Sequence, residues 1–202
     1  MKKKIFVYFE DKLRDKYPYY DDEKIEVIMY GLEGLYLTFT KLVVIFGLGL
    51  ILGKITKILM LLLFYNVIRF SAFGLHANKS YQCLIMSLTL FVGGVYVCDY
   101  IYIPLIIKVI LSLLSIILIS LYAPADTEKR PLINRRKRIR CKIISIISSL
   151  IYTTLIIKYN NDIISNYLLV GLIEATIMIL PLSYKTLNLP YCNYKRYKFS
   201  SV

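Results

Sequence analysis

The sequence predicts an all-α integral membrane protein with about six transmembrane segments, and three observations carry that reading. Of its 202 residues, 57% are hydrophobic and the mean hydropathy is +0.59, more apolar surface than a water-soluble core of this length needs. The apolar residues gather in several runs too long for ordinary core elements. The basic residues, which set a net charge of +13, fall almost entirely between those runs.

Residues 1–34 form a polar but patterned N-terminal region. Ile5, Phe6, Phe9 and Leu13 recur at helical spacing, and Pro18 ends that segment. Asp21 or Asp22 then caps a second helix whose Ile25, Ile28, Met29 and Leu32 share one face. The pattern predicts two short amphipathic helices on the membrane surface. A helical hairpin packed on the rest of the chain would show the same periodicity. No early apolar stretch ends in a small-residue cleavage site, so no removable signal peptide is expected.

The membrane domain is expected over 35–184, with apolar runs at 35–53, 55–70, 82–98, 101–123, 143–158 and 164–184. The second and fifth hold only about 15 residues, roughly 23 Å of helix against a hydrocarbon core of about 30 Å. Six spans is the favoured count, and four spans plus two partial or re-entrant pieces is the alternative.

Charge sets the orientation. With six spans, segments 1–34, 69–82, 124–142 and 184–202 share one side and hold 21 Lys and Arg, whereas the opposite side holds 3, Lys54, Lys57 and Lys158. That imbalance predicts both termini in the cytosol, with cytosolic loops at 69–82 and 124–142. The same topology accounts for the net charge through anionic lipid, and no nucleic-acid module accompanies it. The basic, Tyr-rich tail at 185–202 reads as an interfacial anchor.

Chemistry is concentrated in the loop at 69–82 and just beyond it. His76 is the only histidine, and Cys83 follows seven residues later. A thiol and an imidazole are the minimum set for cysteine acyl transfer, and a cytosolic edge keeps the thiol reduced. In one continuous helix the pair would lie about 10.5 Å apart along the axis, too far for proton transfer. Contact therefore requires a break, which Gly74 and Asn78 allow, leaving Cys83 in the first turn of the third span. The competing account is an interfacial histidine beside a buried thiol. The four cysteines show neither zinc nor disulfide-framework spacing, and no metal or other cofactor is expected.

The pattern Arg69-x4-Gly74-x-His76-Ala77-x5-Cys83 resembles the signature of the accessory gene regulator B (AgrB) family of membrane peptidases. Tyr122-Ala-Pro-Ala-Asp-Thr-Glu-Lys-Arg-Pro-Leu132 is similar to the family's Tyr-Ala-Pro followed by a basic, Pro-containing loop. Phe73 departs from the pattern, since members commonly have a small residue there. The resemblance implies a cysteine endopeptidase that processes the propeptide AgrD into a cyclic quorum-sensing autoinducer. It implies Cys83 as nucleophile and His76 as catalytic histidine, with Arg69 and Gly74 at motif positions. It also implies a homodimer.

Other residues fit around this reading. Glu174 lies alone in the sixth apolar run, as a support for the site or as an ion-pair partner of Lys41 or Lys108; the ion pair is favoured. Lys129, Arg130, Arg135, Arg136, Lys137 and Arg138 belong to a loop with eight cations between Glu128 and Lys142. That loop is read as a topology determinant and as a cradle for an acidic propeptide tail. A peptide transporter without proteolytic activity is the rival function. Six spans with Lys41, Lys108 and Glu174 inside them suit it, but no inverted repeat is visible.

Overall fold

A computed structural model describes residues 2–75, 80–127 and 131–195. Its chain forms two compact units, Met1–Gly47 and Leu48–Val202. The described residues are helical except for connections, and an isolated bridge joins Phe73 to Ala125.

In the first unit, helix α1 (Lys2–Lys16) is followed by α2 (Asp22–Ile51). The entry to α2 is capped where Asp21 Oδ1 accepts from the Lys24 N–H at 2.9 Å. Arg14 donates to Asp22 at 2.6 Å and to Glu10 at 3.0 Å, and Phe6 meets Tyr36 edge to face. The second expected surface helix is not a separate element. Helix α2 runs unbroken from that polar start through Val27–Ile51, which is long and apolar enough to cross a membrane. Nothing between Asp22 and Ile51 would stop it: no proline occurs there, and a lone Gly31 or Gly34 costs only about 1 kcal/mol.

The second unit holds α3 (Ile55–Ala72), α4 (Ser80–Leu88), a π-helical turn at Thr89–Gly93, α5 (Gly94–Tyr100), α6 (Leu105–Tyr122), α7 (Arg135–Lys158), α8 (Ile163–Ile177) and α9 (Pro181–Thr186). Among the described residues, five helical stretches are long and apolar enough to cross a membrane, and α8 is a shorter apolar helix. The short elements are not the ones expected. Helices α3 and α7 reach 18 and 24 residues because Ser71 and Ala72 and the polar stretch Arg135–Lys142 join them. The sixth segment instead splits, since α8 ends at Ile177 and Pro181 cannot continue its ladder.

Helix α8 is the centre of this unit. It packs against α3, α5, α6 and α7, and is buried on nearly every side from Tyr167 to Thr176. Burial all round is what its almost uniformly apolar sequence requires. In lipid, helices gain little by hiding apolar surface from each other, so polar ties matter more. Ser145 Oγ donates to Ser71 Oγ at 2.9 Å, and the Tyr152 hydroxyl to the Phe64 carbonyl at 2.9 Å, fastening α7 to α3.

Polar groups gather at both ends of the bundle. At one end the Asp99 carboxylate accepts from Lys54 at 2.6 Å, Lys57 at 2.8 Å and the Tyr167 hydroxyl at 2.9 Å. Nearby, Lys108 donates to the Asn160 carbonyl at 3.0 Å and Ser165 Oγ at 2.6 Å. The opposite end carries the residues around Gly74, Tyr122 and Asp126.

Candidate functional site

The segment that opens the site is a helix end held in an unusual backbone path. Helix α3 stops at Ala72, where Phe73 takes φ +57° and Gly74 φ +120°. Positive φ is costly for a Cβ-bearing residue, which gives Phe73 a strained position. Arg69 stabilises that turn from one helical turn below. Its Nη1 donates to the Phe73 carbonyl at 2.6 Å and its Nη2 to the Leu75 carbonyl at 2.5 Å. Arg69 thus satisfies two carbonyls that the helix end would leave without donors.

Two distant segments complete the turn. The Gly74 N–H donates to the Ala125 carbonyl at 2.8 Å, and the Ala125 N–H to the Ala72 carbonyl at 3.0 Å. The Leu75 N–H donates to the Met178 carbonyl at 3.0 Å. The two stretches singled out from sequence, 69–83 and 122–132, are therefore joined by main-chain bonds, with the end of α8 as the third wall. Gly74 is needed at the junction because a Cβ there would meet the Arg69 guanidinium and lie 2.7 Å from the Met178 carbonyl oxygen.

Cys83 sits half-buried in the first turn of α4, as expected, and its carbonyl accepts from Ser87 Oγ at 2.8 Å. His76 lies outside the described residues, as do Lys129 and Arg130. Buried Tyr65 on α3 lies beside this turn, its ring centre 5.9 Å from the Arg69 guanidinium carbon. Its ring meets Phe91 edge to face at 5.3 Å.

Glu174 is 5% exposed, and its Oε2 has no hydrogen-bond partner among the described residues. Of the two ion-pair partners expected for it, Lys41 and Lys108, the latter spends its ammonium on Asn160 and Ser165 at the other end of the bundle. Glu174 instead faces Gly94, where a Cβ would come within 2.5 Å of Oε1. The basic residues also divide. Arg135, Arg136 and Lys137 are exposed on the first turn of α7. Arg138 bonds the carbonyls of Leu132 at 2.9 Å and Ile133 at 3.2 Å, and its guanidinium lies 3.9 Å from the centre of the Tyr194 ring.

One organising residue has no role in the sequence reading. Asp126 is 2% exposed, and its carboxylate accepts three backbone N–H groups. Its position within the motif 122–132 was the available signal, but its partners, up to 68 residues away, were not readable. Among the described residues, no three His, Cys, Asp or Glu side chains stand close enough to hold a metal ion.

The family model for accessory gene regulator B matches residues 3–179. An AgrB-like protein of Listeria innocua is 33% identical over 180 residues, covering 88% of this chain and 87% of the relative. An AgrB-like protein of Clostridium acetobutylicum is 30% identical over 182 residues, covering 87% and 85%. The accessory gene regulator protein B of Staphylococcus saprophyticus is 32% identical over 152 residues, covering 75% and 79%. No solved structure matches this chain.

Proposed function

Because this chain belongs to the accessory gene regulator B family, we propose that it is a membrane-embedded cysteine endopeptidase that removes the C-terminal tail of an AgrD-like quorum-sensing propeptide and supports closure of its thiolactone ring. The observation that carries the reading is the helix break at Phe73–Leu75, which frees Cys83 from the geometry that one continuous helix would impose.

In this mechanism His76 takes the Cys83 proton and the thiolate attacks the scissile carbonyl. The tetrahedral intermediate expels the tail amine, to which His76 returns the proton, leaving a thioester on Cys83. A cysteine thiol within the bound propeptide then gives up its proton and attacks that thioester. Its sulfur takes the acyl group, Cys83 regains its thiol, and a thiolactone leaves. Exchange of thioester for thioester conserves the acyl activation that hydrolysis would discard. It needs the internal thiol held close and water kept away, which an apolar membrane edge favours.

The termini, His76 and Cys83 face the cytosol in this proposal, with anionic lipid along the basic loop and a homodimer as the working assembly. Exposed Arg135, Arg136 and Lys137 suit an acidic propeptide tail. The test is mass spectrometry of a candidate propeptide co-expressed with intact protein, Cys83→Ala and His76→Ala. A tail-shortened peptide, or its acyl adduct on Cys83, is expected with the intact protein alone. Processing that survives Cys83→Ala would remove the nucleophile from the account.

A further inference from the structure

The C-terminal segment is built into the wall of the Gly74 turn. Asp126 Oδ1 accepts the Asn193 N–H at 2.9 Å, and Oδ2 accepts the Tyr194 N–H at 2.7 Å and the Leu132 N–H at 3.3 Å. The Asp126 carbonyl accepts the buried Tyr184 hydroxyl at 3.0 Å, and Tyr184 packs edge to face on Tyr191. Tyr194 in turn lies under the Arg138 guanidinium. One residue before Asp126, Ala125 pairs with Ala72 and Gly74. The Ala125–Asp126 peptide is thus gripped by the tail on one side and by the Gly74 turn on the other.

This docking is specific. Asn193 is 1% exposed, and Cys192 holds φ +55°, a left-handed conformation that side chains other than Asn and Asp rarely adopt. A peptide merely resting on the surface would relax out of it. Two charge-assisted bonds from consecutive N–H groups to one carboxylate hold it in place. The tail also lies beyond residue 179, where the family match ends.

We propose that residues 190–195 form a strap whose docking on Asp126 sets the position of the Phe73–Leu75 turn, making Asp126 a positioning residue for the reaction proposed above. The strap acts through the main chain: Asn193 and Tyr194 fix Asp126, Ala125 follows, and Ala125 seats Gly74. The inference rests on the peptidase reading only for its catalytic consequence, since the docking itself is measurable without any substrate.

The experiment compares intact protein, Asp126→Ala, Tyr194→Pro, which removes one N–H while leaving Asp126 in place, and a chain ending at Leu189. Maleimide modification of Cys192 and Cys83 is followed by peptide mass spectrometry, alongside kcat and KM for propeptide cleavage. Asp126→Ala and Tyr194→Pro are expected to speed Cys192 modification about tenfold and lower kcat about tenfold at nearly constant KM. Added peptide spanning residues 190–202 is expected to restore kcat to the chain ending at Leu189. Unchanged Cys192 modification in folded Tyr194→Pro, or full turnover without the tail, would overturn the strap. If intact protein cleaves no propeptide, the peptidase reading fails separately. The strap is then judged on Cys83, whose modification rate must change when the tail is removed; an unchanged rate overturns it.

Discussion

A side-chain carbon on Gly74 would collide with the guanidinium of Arg69, because that guanidinium is folded back over the turn to bond the carbonyls on either side of Gly74. The two residues are therefore one device, a helix-end clamp that only a glycine can pass beneath. Gly74→Ala adds both this clash and an unfavourable φ of +120°. Strain of that kind costs about 1–3 kcal/mol. We expect processing to fall by about a hundredfold, with the protein still recovered from the membrane. Propeptide turnover in reconstituted vesicles checks this.

Arg69→Lys tests the other half of the clamp. An ammonium reaches one carbonyl at a time, whereas the guanidinium fork serves Phe73 and Leu75 together. A loss of about 1.5–3 kcal/mol in turn stability is expected, read as roughly tenfold or greater loss of turnover. If Arg69 acted only as a positive charge at the membrane edge, Lys would retain nearly full activity.

The basic cluster on α7 is expected to separate into two behaviours. Arg135, Arg136 and Lys137 are exposed, so replacing all three with Gln should weaken capture of an acid-tailed propeptide and flatten its salt dependence. Arg138→Gln should instead lower thermal stability, since it breaks bonds to Leu132 and Ile133 and the contact with Tyr194. Measuring KM at two ionic strengths, with melting in detergent, distinguishes them.

The far end of the bundle makes a pH prediction. The hydrogen bond to Asp99, aided by its charge, raises the Lys54 pKa above the ordinary lysine value of 10.5. A raised folded-state pKa means that the contribution is complete below the unfolded value and fades as pH climbs through the folded one. The melting temperature should therefore drop in strongly alkaline buffer. The drop should be shallower in Lys54→Met, which has no such charge to lose.

How far the sequence disclosed these arrangements depends on the distance over which each is determined. The end of α3 and the start of α4 were legible because Gly74 and the polar run after it are local signals, and local signals decide helix ends. The span lengths were less so, because hydropathy stops counting at Phe70 and at Lys142 while the hydrogen-bond ladder does not. The continuity of α2 was missed for the same reason. Asp126 was visible as a motif letter, but its role lies in partners 67 and 68 residues downstream. Lys108 and Glu174 looked like natural partners only while their depth was unknown. The former reaches the turn at Asn160, whereas the latter sits one helical turn from Met178.

Glu174 and Gly94 give a prediction that tests packing and chemistry together. A Cβ at position 94 would lie 2.5 Å from Glu174 Oε1 and 2.7 Å from Leu61 Cδ2, so Gly94→Ala must displace one of them. Overpacking of this kind costs about 1–3 kcal/mol. If the carboxylate is the main obstacle, Glu174→Ala in the same chain makes room, and the pair should be less damaged than the two losses added together. A coupling of about 1 kcal/mol or more is the expected signature of direct contact. Glu174→Gln keeps the size and leaves this steric relation intact, so it reports on the carboxyl group's chemistry apart from its bulk. Retained stability with reduced turnover in Glu174→Gln would assign the carboxyl group a part in the proposed reaction. Retained stability with full turnover would leave it as a space-filling group held against α5.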